Sequence, residues 1–153
     1  LTGSADHGTP RFDADLDAGV TLETGTGASL ADKIFSDQRT LTASSTEDLD
    51  LAGGLTDGLG ATLTFVKVKA ILIKAATGNT NSVVVGGAAP NTFTGPFADA
   101  SDKISIPPGG AALLTAPVSG WTVTAGTGDI LKIANSAGST SVTYDIVVIG
   151  TSA

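Results

Sequence analysis

Two stretches, residues 64–74 and 141–149, are the longest runs of strand-forming residues, and neither contains Gly or Pro. Both are rich in Val and Ile, which favour strands. Each begins by alternating apolar and polar positions, the pattern of a strand with one face in water. Toward their ends both become apolar on the two faces, at Ile71, Ile73, Val147 and Ile149. A water-facing strand should alternate to its end, so this change predicts that a second subunit covers these residues.

From residue 37 onward, short strand patterns are separated by turn signals. Asp57-Gly58 and Pro107–Gly110 are two of these signals. The predicted strands are Gln38–Thr42, Glu47–Leu51, Thr62–Lys74, Ser82–Gly86, Lys103–Ile106, Ala111–Thr115, Trp121–Ala125, Ile130–Ala134 and Ser141–Ile149. No helical pattern of useful length lies among them. This series of short strands predicts an all-β fold, a jelly-roll-like antiparallel β-sandwich.

Residues 1–36 differ in composition, being rich in Gly, Asp and Thr, with apolar residues that are single and far apart. A segment of this kind cannot bury enough apolar surface to fold alone. The sequence therefore predicts two parts, an extended N-terminal arm over residues 1–36 and a β-sandwich domain over residues 37–153. The arm should be held in place by something other than a core of its own.

The apolar side chains of the arm suit separate pockets on a partner. Full burial of one such side chain contributes about 1.5–3 kcal/mol before the cost of ordering the arm. The predicted partner contacts are Phe12, Leu16, Val20, Leu22, Leu30, Ile34 and Phe35. Within residues 29–35 the apolar residues also recur at i, i+4 spacing, which predicts one or two helical turns.

The protein has a formal charge of −7, and its acidic residues lie mostly in the N-terminal part. Residues 1–60 hold eleven acidic and three basic residues, whereas residues 61–153 hold four acidic residues and five lysines. Nucleic acids and anionic membranes attract clusters of Lys and Arg. The charge balance therefore argues against both kinds of partner. No apolar run is long enough to cross a bilayer as a helix.

Motifs for catalysis and metal binding are incomplete. The sole histidine is His7, and no Gly-x-Ser-x-Gly motif is present, so a Ser-His-Asp site lacks its parts. The segment Asp13–Asp17 begins like a calcium loop, but Ala18 and Thr24 occupy the positions that require Gly and Glu. Cysteine is absent, which excludes disulfides and thiolate metal sites. We predict a protein that is not an enzyme, with no catalytic residue, no metal site and no cofactor.

Acidic and aromatic residues outside the arm offer two further candidate sites. The carboxylates available for glycoside cleavage are Asp99, Asp102, Asp129 and Asp145. These residues lie in or beside predicted turns and strand ends, where Asp is common for backbone reasons. The aromatic platforms available for glycan binding are Phe93, Phe97, Trp121 and Tyr144. Tyr144 falls on the inward side of its strand, whereas Trp121 fits either the core or a subunit interface.

Five segments carry a resemblance to a known family. They are Glu47–Asp57, Gly60–Ile73, Pro108–Gly110, Gly120–Asn135 and Tyr144–Ile146. Together they resemble small structural proteins from the virions of tailed bacteriophages, over about residues 39 to 150. The resemblance implies a capsid decoration or cement protein with a jelly-roll-like β-sandwich. It does not extend to the arm and implies no catalytic or ligand-binding residues.

The resemblance and the residue patterns together predict a protein of the outer capsid surface that is made in the host cytoplasm. Its expected partners are the major capsid protein and further copies of itself, in a homo-oligomer with the trimer favoured. The predicted subunit interface comprises Ile71, Ile73, Val147, Ile149 and Trp121. The alternative is a tail, fibre or other virion-surface module that recognises a receptor or a glycan. Exposed and clustered aromatic residues would favour that alternative, whereas buried ones would favour a cement protein.

Overall fold

The computed structural model describes residues 19–153, so the predictions for Phe12, Leu16 and the segment Asp13–Asp17 lie outside the described residues. The described part is all-β, as predicted. Its thirteen strands are β1 (Glu23–Thr24), β2 (Leu30–Ala31), β3 (Lys33–Leu41), β4 (Thr46–Asp50), β5 (Leu55–Thr56), β6 (Thr62–Leu63), β7 (Lys67–Ala75), β8 (Val83–Gly86), β9 (Lys103–Ile106), β10 (Ala111–Thr115), β11 (Trp121–Thr122), β12 (Ile130–Asn135) and β13 (Val142–Thr151).

Two antiparallel sheets make up most of the described structure. The larger sheet has the order β10–β7–β13–β3, and β11 also pairs with β7. The smaller sheet has the order β4–β12–β8–β9. Two short pairs complete the fold, the parallel pair β1–β2 and the antiparallel pair β5–β6. Strand β13 is central in the larger sheet because it pairs with β7 on one side and β3 on the other.

The inner faces of the two sheets share one hydrophobic core. The larger sheet contributes Ile73 and Tyr144, and the smaller sheet contributes Val83, Leu131 and Ile133. Each of these five residues is at most 1% exposed. Because side chains from both sheets belong to one cluster, the architecture is the predicted β-sandwich.

A β-bulge explains why the apolar alternation changes along β7. The pairing of β13 with β7 skips Lys69, which is therefore an extra residue in the ladder. An extra residue changes the face on which the following side chains lie. Val68 is buried before the bulge, and Ile71 and Ile73 are buried after it. The prediction that Ile71 and Ile73 lie at a subunit interface is therefore wrong, since both fill the core of their own chain.

The larger sheet begins before the predicted end of the arm. Strand β3 starts at Lys33 and pairs with β13 along its whole length. It buries Phe35 in the core at 4% exposure, while the neighbouring Ile34 points outward and is 57% exposed. This alternation replaces the helical turns predicted for residues 29–35. A boundary after residue 36 would cut through β3, and Phe35 is a core residue instead of a partner contact.

Lys69 is buried, and its ammonium group donates hydrogen bonds to backbone carbonyls. Its Nζ donates to the carbonyl oxygen of Val118 at 2.8 Å and to that of Pro117 at 3.2 Å. Burial, reinforced by the nearby charge of Lys67, lowers the pKa of Lys69 below its ordinary value. Lys69 therefore ties the loop between β10 and β11 to the bulge in β7.

This buried lysine should make stability depend on alkaline pH. Folding lowers the pKa of Lys69, so between the folded-state pKa and 10.5 the unfolded chain binds more protons than the folded chain. The free energy of unfolding therefore rises with pH in that window. We expect a Lys69→Met variant to lack this rise and a Lys67→Met control to keep most of it. Urea unfolding at several pH values below 10.5 measures the slopes. Equal slopes in the native and Lys69→Met proteins would contradict the assignment.

Candidate functional site

The outer face of the larger sheet is divided into a polar half and an apolar half. In the polar half, side chains of β3 and β13 pair across the strands. Gln38 Nε2 donates to Asp145 Oδ1 at 2.7 Å, and the hydroxyl oxygens of Thr40 and Thr143 are 2.9 Å apart. These contacts satisfy the polar groups of two neighbouring strands, as expected for a sheet face in water.

The apolar half of this face consists of two cross-strand rows. In one row, Leu72 pairs with Leu113 on one side and with Val147 on the other. In the next row, Ile149 pairs with Ala70 and with Ile34. We call these residues the apolar half-face: Ile34, Ala70, Leu72, Leu113, Val147 and Ile149.

Several side chains of the apolar half-face are open to solvent. Leu72 is 39% exposed, Leu113 is 45% exposed and Ile34 is 57% exposed. Isolated apolar side chains on a surface are ordinary, but neighbouring ones that form a patch mark sites of interaction. The apolar half-face is therefore the candidate functional site.

A segment preceding β3 partly covers the apolar half-face. Val20 and Leu22 line a cavity of about 170 Å³ together with side chains of that face. Gly19 lies beside Leu113 on β10, and Leu22 lies beside Ile34 on β3. We call residues 19–24 the strap, since they cross the larger sheet from β3 toward its β10 edge.

The segment between the strap and β3 is fastened by few hydrogen bonds to the sandwich. The Ser29 N–H donates to the Pro117 carbonyl at 2.9 Å, and the Asp32 N–H donates to the Gly150 carbonyl at 3.1 Å. The Asp32 carboxylate accepts the N–H of Ser152 at 2.8 Å and its hydroxyl at 2.5 Å. The hydroxyl bond is the main reason that the pKa of Asp32 is lowered. The Asp32 contacts hold the start of β3 against the end of β13, and the Ser29 contact fastens the segment to the loop between β10 and β11.

The arm residues that are predicted to bind a partner lie at different places in the structure. Val20, 38% exposed, and Leu22 lie on the apolar half-face of their own chain. Leu30 is half-buried in β2, and its N–H donates to the Gly27 carbonyl at 3.3 Å. Ile34 lies on the apolar half-face itself. Binding of these residues to a partner stays a prediction.

The remaining residues predicted for a subunit interface also lie at two different places. Val147 and Ile149 lie on the apolar half-face, half-buried. Trp121 pairs with Val68 at the edge of the larger sheet and packs against the core. Leu72 and Leu113 are not among the residues predicted from the sequence for this surface. The sequence signal that could reveal them is Lys69 within the apolar strand β7, where the bulge changes the alternation of buried and exposed residues.

The candidate aromatic residues pack inward. Phe93 is buried at 1% exposure, and Phe97 and Trp121 each pack against the core. Tyr144 is fully buried, which confirms its predicted inward position, and its hydroxyl donates to Glu47 Oε1. Burial, together with the Glu47 carboxylate, raises the pKa of Tyr144 above its ordinary value. These side chains support the core instead of forming an exposed platform for sugar rings.

The candidate carboxylates accept hydrogen bonds from nearby groups. Asp99 Oδ1 accepts the Ser101 N–H at 2.9 Å, and this bond is the main cause that lowers the pKa of Asp99. Asp102 Oδ2 accepts the Asp99 N–H at 2.8 Å, and Asp129 Oδ2 accepts the Gly126 N–H at 2.5 Å. These bonds stabilise turns. Residues 19–153 contain no group of three or more His, Asp or Glu side chains placed to hold a metal ion.

Residues 19–153 also contain no helix that is long and apolar enough to cross a membrane. The features present in the described structure thus define an all-β sandwich whose larger sheet carries an exposed apolar half-face, partly covered by its own strap.

Comparison with known proteins finds no matching family model and no matching curated protein. Among solved structures, a chain of the Bacillus endospore appendages, which form a family of disulfide-linked pili, is similar with a TM-score of 0.38 and 14% identity, over 90% of this chain and 98% of that chain. A chain of the cyanophage Pam1 capsid asymmetric unit is similar with a TM-score of 0.27 and 19% identity, over 90% of this chain and 94% of that chain. Likenesses this distant assign neither a family nor a function.

Proposed function

We propose that this protein is a structural component of a bacteriophage virion, a decoration or cement protein that stabilises the capsid by bridging its subunits. The observation that carries the proposal is the apolar half-face. A broad and shallow apolar surface suits a protein partner, whereas small molecules bind in concave pockets. The resemblance of residues 39–150 to phage virion proteins supports the major capsid protein as that partner, on the outer surface of the virion.

The energetics favour attachment through the apolar half-face as a whole. Full burial of a Leu or Ile side chain contributes about 1.5–3 kcal/mol, and these side chains are already partly covered. Association itself costs at least about 4 kcal/mol in lost freedom. No single residue offsets that cost, so several residues of the half-face must be buried together. Self-association adds further contacts, and a closed homo-oligomer, with the trimer favoured, buries the same surface on every copy.

The proposed role includes no catalysis, cofactor, nucleic acid or membrane. Asp99, Asp102 and Asp129 stabilise turns, Asp145 pairs with Gln38 across two strands, and the acidic net charge of −7 suits the exterior of a DNA-filled shell. The alternative role, recognition of a receptor or a glycan by a tail or fibre module, receives less support because Phe93 and Tyr144 are buried in the core.

A density map of the intact particle that encodes this chain tests the proposal. We expect the β-sandwich on the outer surface of the shell, in contact with two or more capsid subunits. Particles from a virus that lacks the gene should lose this density and release their DNA at a lower temperature. Density for the chain at the tail tip or in a fibre would contradict the proposal.

A further inference from the structure

The strap belongs to a longer segment in which apolar and polar residues alternate. Between residues 12 and 22 every even position is apolar, with Phe12, Ala14, Leu16, Ala18, Val20 and Leu22. The odd positions between them are Asp, Gly or Thr. A period of two places all even positions on one side of an extended segment. In the structure, Val20 and Leu22 direct this side toward the apolar half-face.

The strap reaches the β10 edge of the larger sheet at Gly19. Gly19 lies beside Leu113 and Thr115 on β10, which is the edge strand of the larger sheet. An extended chain advances about 3.3–3.6 Å per residue, and neighbouring strands are about 4.8 Å apart. A segment that continues in this direction passes the edge of the sheet within about two residues of Gly19.

We propose that residues 12–18 of one copy dock on the apolar half-face of a second copy, so that the copies are joined by this segment. The half-face is suited to such an occupant, because Leu72, Leu113 and Ile34 stay exposed beside the copy's own strap. The segment supplies Phe12 and Leu16 on its apolar side. The inference rests on the self-association within the proposed function and does not depend on the capsid. It assigns residues 12–18 only a part of the half-face, so that the remainder stays available to the capsid.

The two surfaces carry charges of opposite sign at Lys67 and Lys74, although Lys74 also has Asp145 as its cross-strand partner. Residues 12–18 hold three aspartates and no basic residue. On the outer face of β7, Lys67 and Lys74 lie on either side of Ala70 and Leu72, with Lys74 exposed and Lys67 half-buried. A docked segment brings its aspartates near these two lysines. Because such exposed charges are screened by salt, association should weaken as the salt concentration rises.

Engineered cysteines test the contact directly, because the native chain has no cysteine. A full-length Leu16→Cys chain mixed with a full-length Leu113→Cys chain should form a disulfide-linked heterodimer under mild oxidation. An Asp17→Cys chain is the matched control, since its cysteine lies on the opposite side of the extended segment, and it should give several-fold less heterodimer. Equal yields from both mixtures would overturn the proposal.

A chain that carries both Leu16→Cys and Leu113→Cys separates exchange between copies from folding back. Intermolecular disulfides are expected on a non-reducing gel. A monomer with an internal disulfide would overturn the proposal, because residues 12–18 would then cover their own sheet.

Sedimentation of the full chain completes the test. A Phe12→Ser/Leu16→Ser variant should self-associate at least about tenfold more weakly, since burial of one large apolar side chain is worth that factor. An Asp13→Asn/Asp17→Asn variant should lose mainly its salt dependence. A monomeric native chain, or unchanged association of the serine variant, would overturn the proposal. If the copies cross-link as expected but do not bind shells, the proposed function fails and this inference stands.

Discussion

A Leu72→Asp/Leu113→Asp double variant is expected to lose attachment to the capsid and to other copies while it keeps its fold. Both side chains already meet solvent, at 39% and 45% exposure, so aspartate at these positions is hydrated in the free protein. A contact that covers them would bury two unpaired carboxylates, and an unpaired buried charge is very costly. We therefore expect an affinity lower by on the order of a hundredfold or more.

The measurement compares binding of the variant and the native protein to shells that lack the protein, together with thermal unfolding. The matched control is Leu59→Asp/Val118→Asp, because these residues are 96% and 65% exposed and lie outside the apolar half-face. The control should bind shells like the native chain and keep its melting temperature. The Leu72→Asp/Leu113→Asp variant should still unfold cooperatively but at a lower temperature, because its two carboxylates face each other across β7 and β10. Undiminished binding of the Leu72→Asp/Leu113→Asp variant would show that a different surface attaches the protein.

A Gly150→Ala substitution is expected to destabilise the protein by about 3 kcal/mol or more. A Cβ atom at this position would lie 2.1 Å from the carbonyl oxygen of Lys67 and 2.8 Å from the ring of Phe65. The carbonyl belongs to the backbone of β7 next to the bulge, so it cannot move without disturbing the pairing of β7 with β13. Glycine is required here by the close approach of two strands.

Urea unfolding of the Gly150→Ala protein measures this loss. Gly78→Ala is the control, because a Cβ atom there meets no other atom within 4 Å. Its free energy of unfolding should change by less than about 0.5 kcal/mol. A loss below about 1 kcal/mol in Gly150→Ala would mean that the two strands can separate at little cost, and the bulge would then be less rigid than its close contacts indicate.

Strands bounded by strong turn signals could be predicted closely from the sequence. Lys103–Ile106 and Ala111–Thr115 have the predicted bounds, because Pro107–Gly110 can continue neither strand. The segment predicted as the single strand Thr62–Lys74 spans β6 and all of β7 except Ala75. Between them the Phe65 N–H donates to the Leu51 carbonyl instead of to a ladder partner. That choice depends on a distant residue, so no local pattern reveals it.

The arm boundary was missed because composition is an average over a segment. Lys33 to Phe35 follow a Gly- and Thr-rich stretch, and an average over residues 1–36 hides that two of these three residues are apolar. Their strand exists because β13 offers them a partner along its whole length. Tertiary pairing of this kind overrides the local helical spacing of Leu30 and Ile34.

The candidate site could be predicted only in part. The sequence shows that both long strands become apolar on two faces, and Val147 and Ile149 do lie on the outer face. The same pattern in β7 arises from a bulge, which places Ile71 and Ile73 inside and Leu72 outside. A bulge and a doubly covered strand give the same sequence of apolar residues. The structure distinguishes them because it fixes the register with β13.

The central position of β13 also determines when the apolar half-face can exist. Its pairing partner β3 precedes it by at least 100 residues, and no other strand of the larger sheet pairs with β3 in the described structure. During synthesis β3 is therefore made long before the strand that completes its sheet, and contacts of such long range form slowly. Ile34 and Ile149 become neighbours only when β13 has been made and inserted between β3 and β7. A nascent chain can pair Leu72 with Leu113 but consequently lacks the rest of the half-face, so full association is delayed until the sandwich is complete.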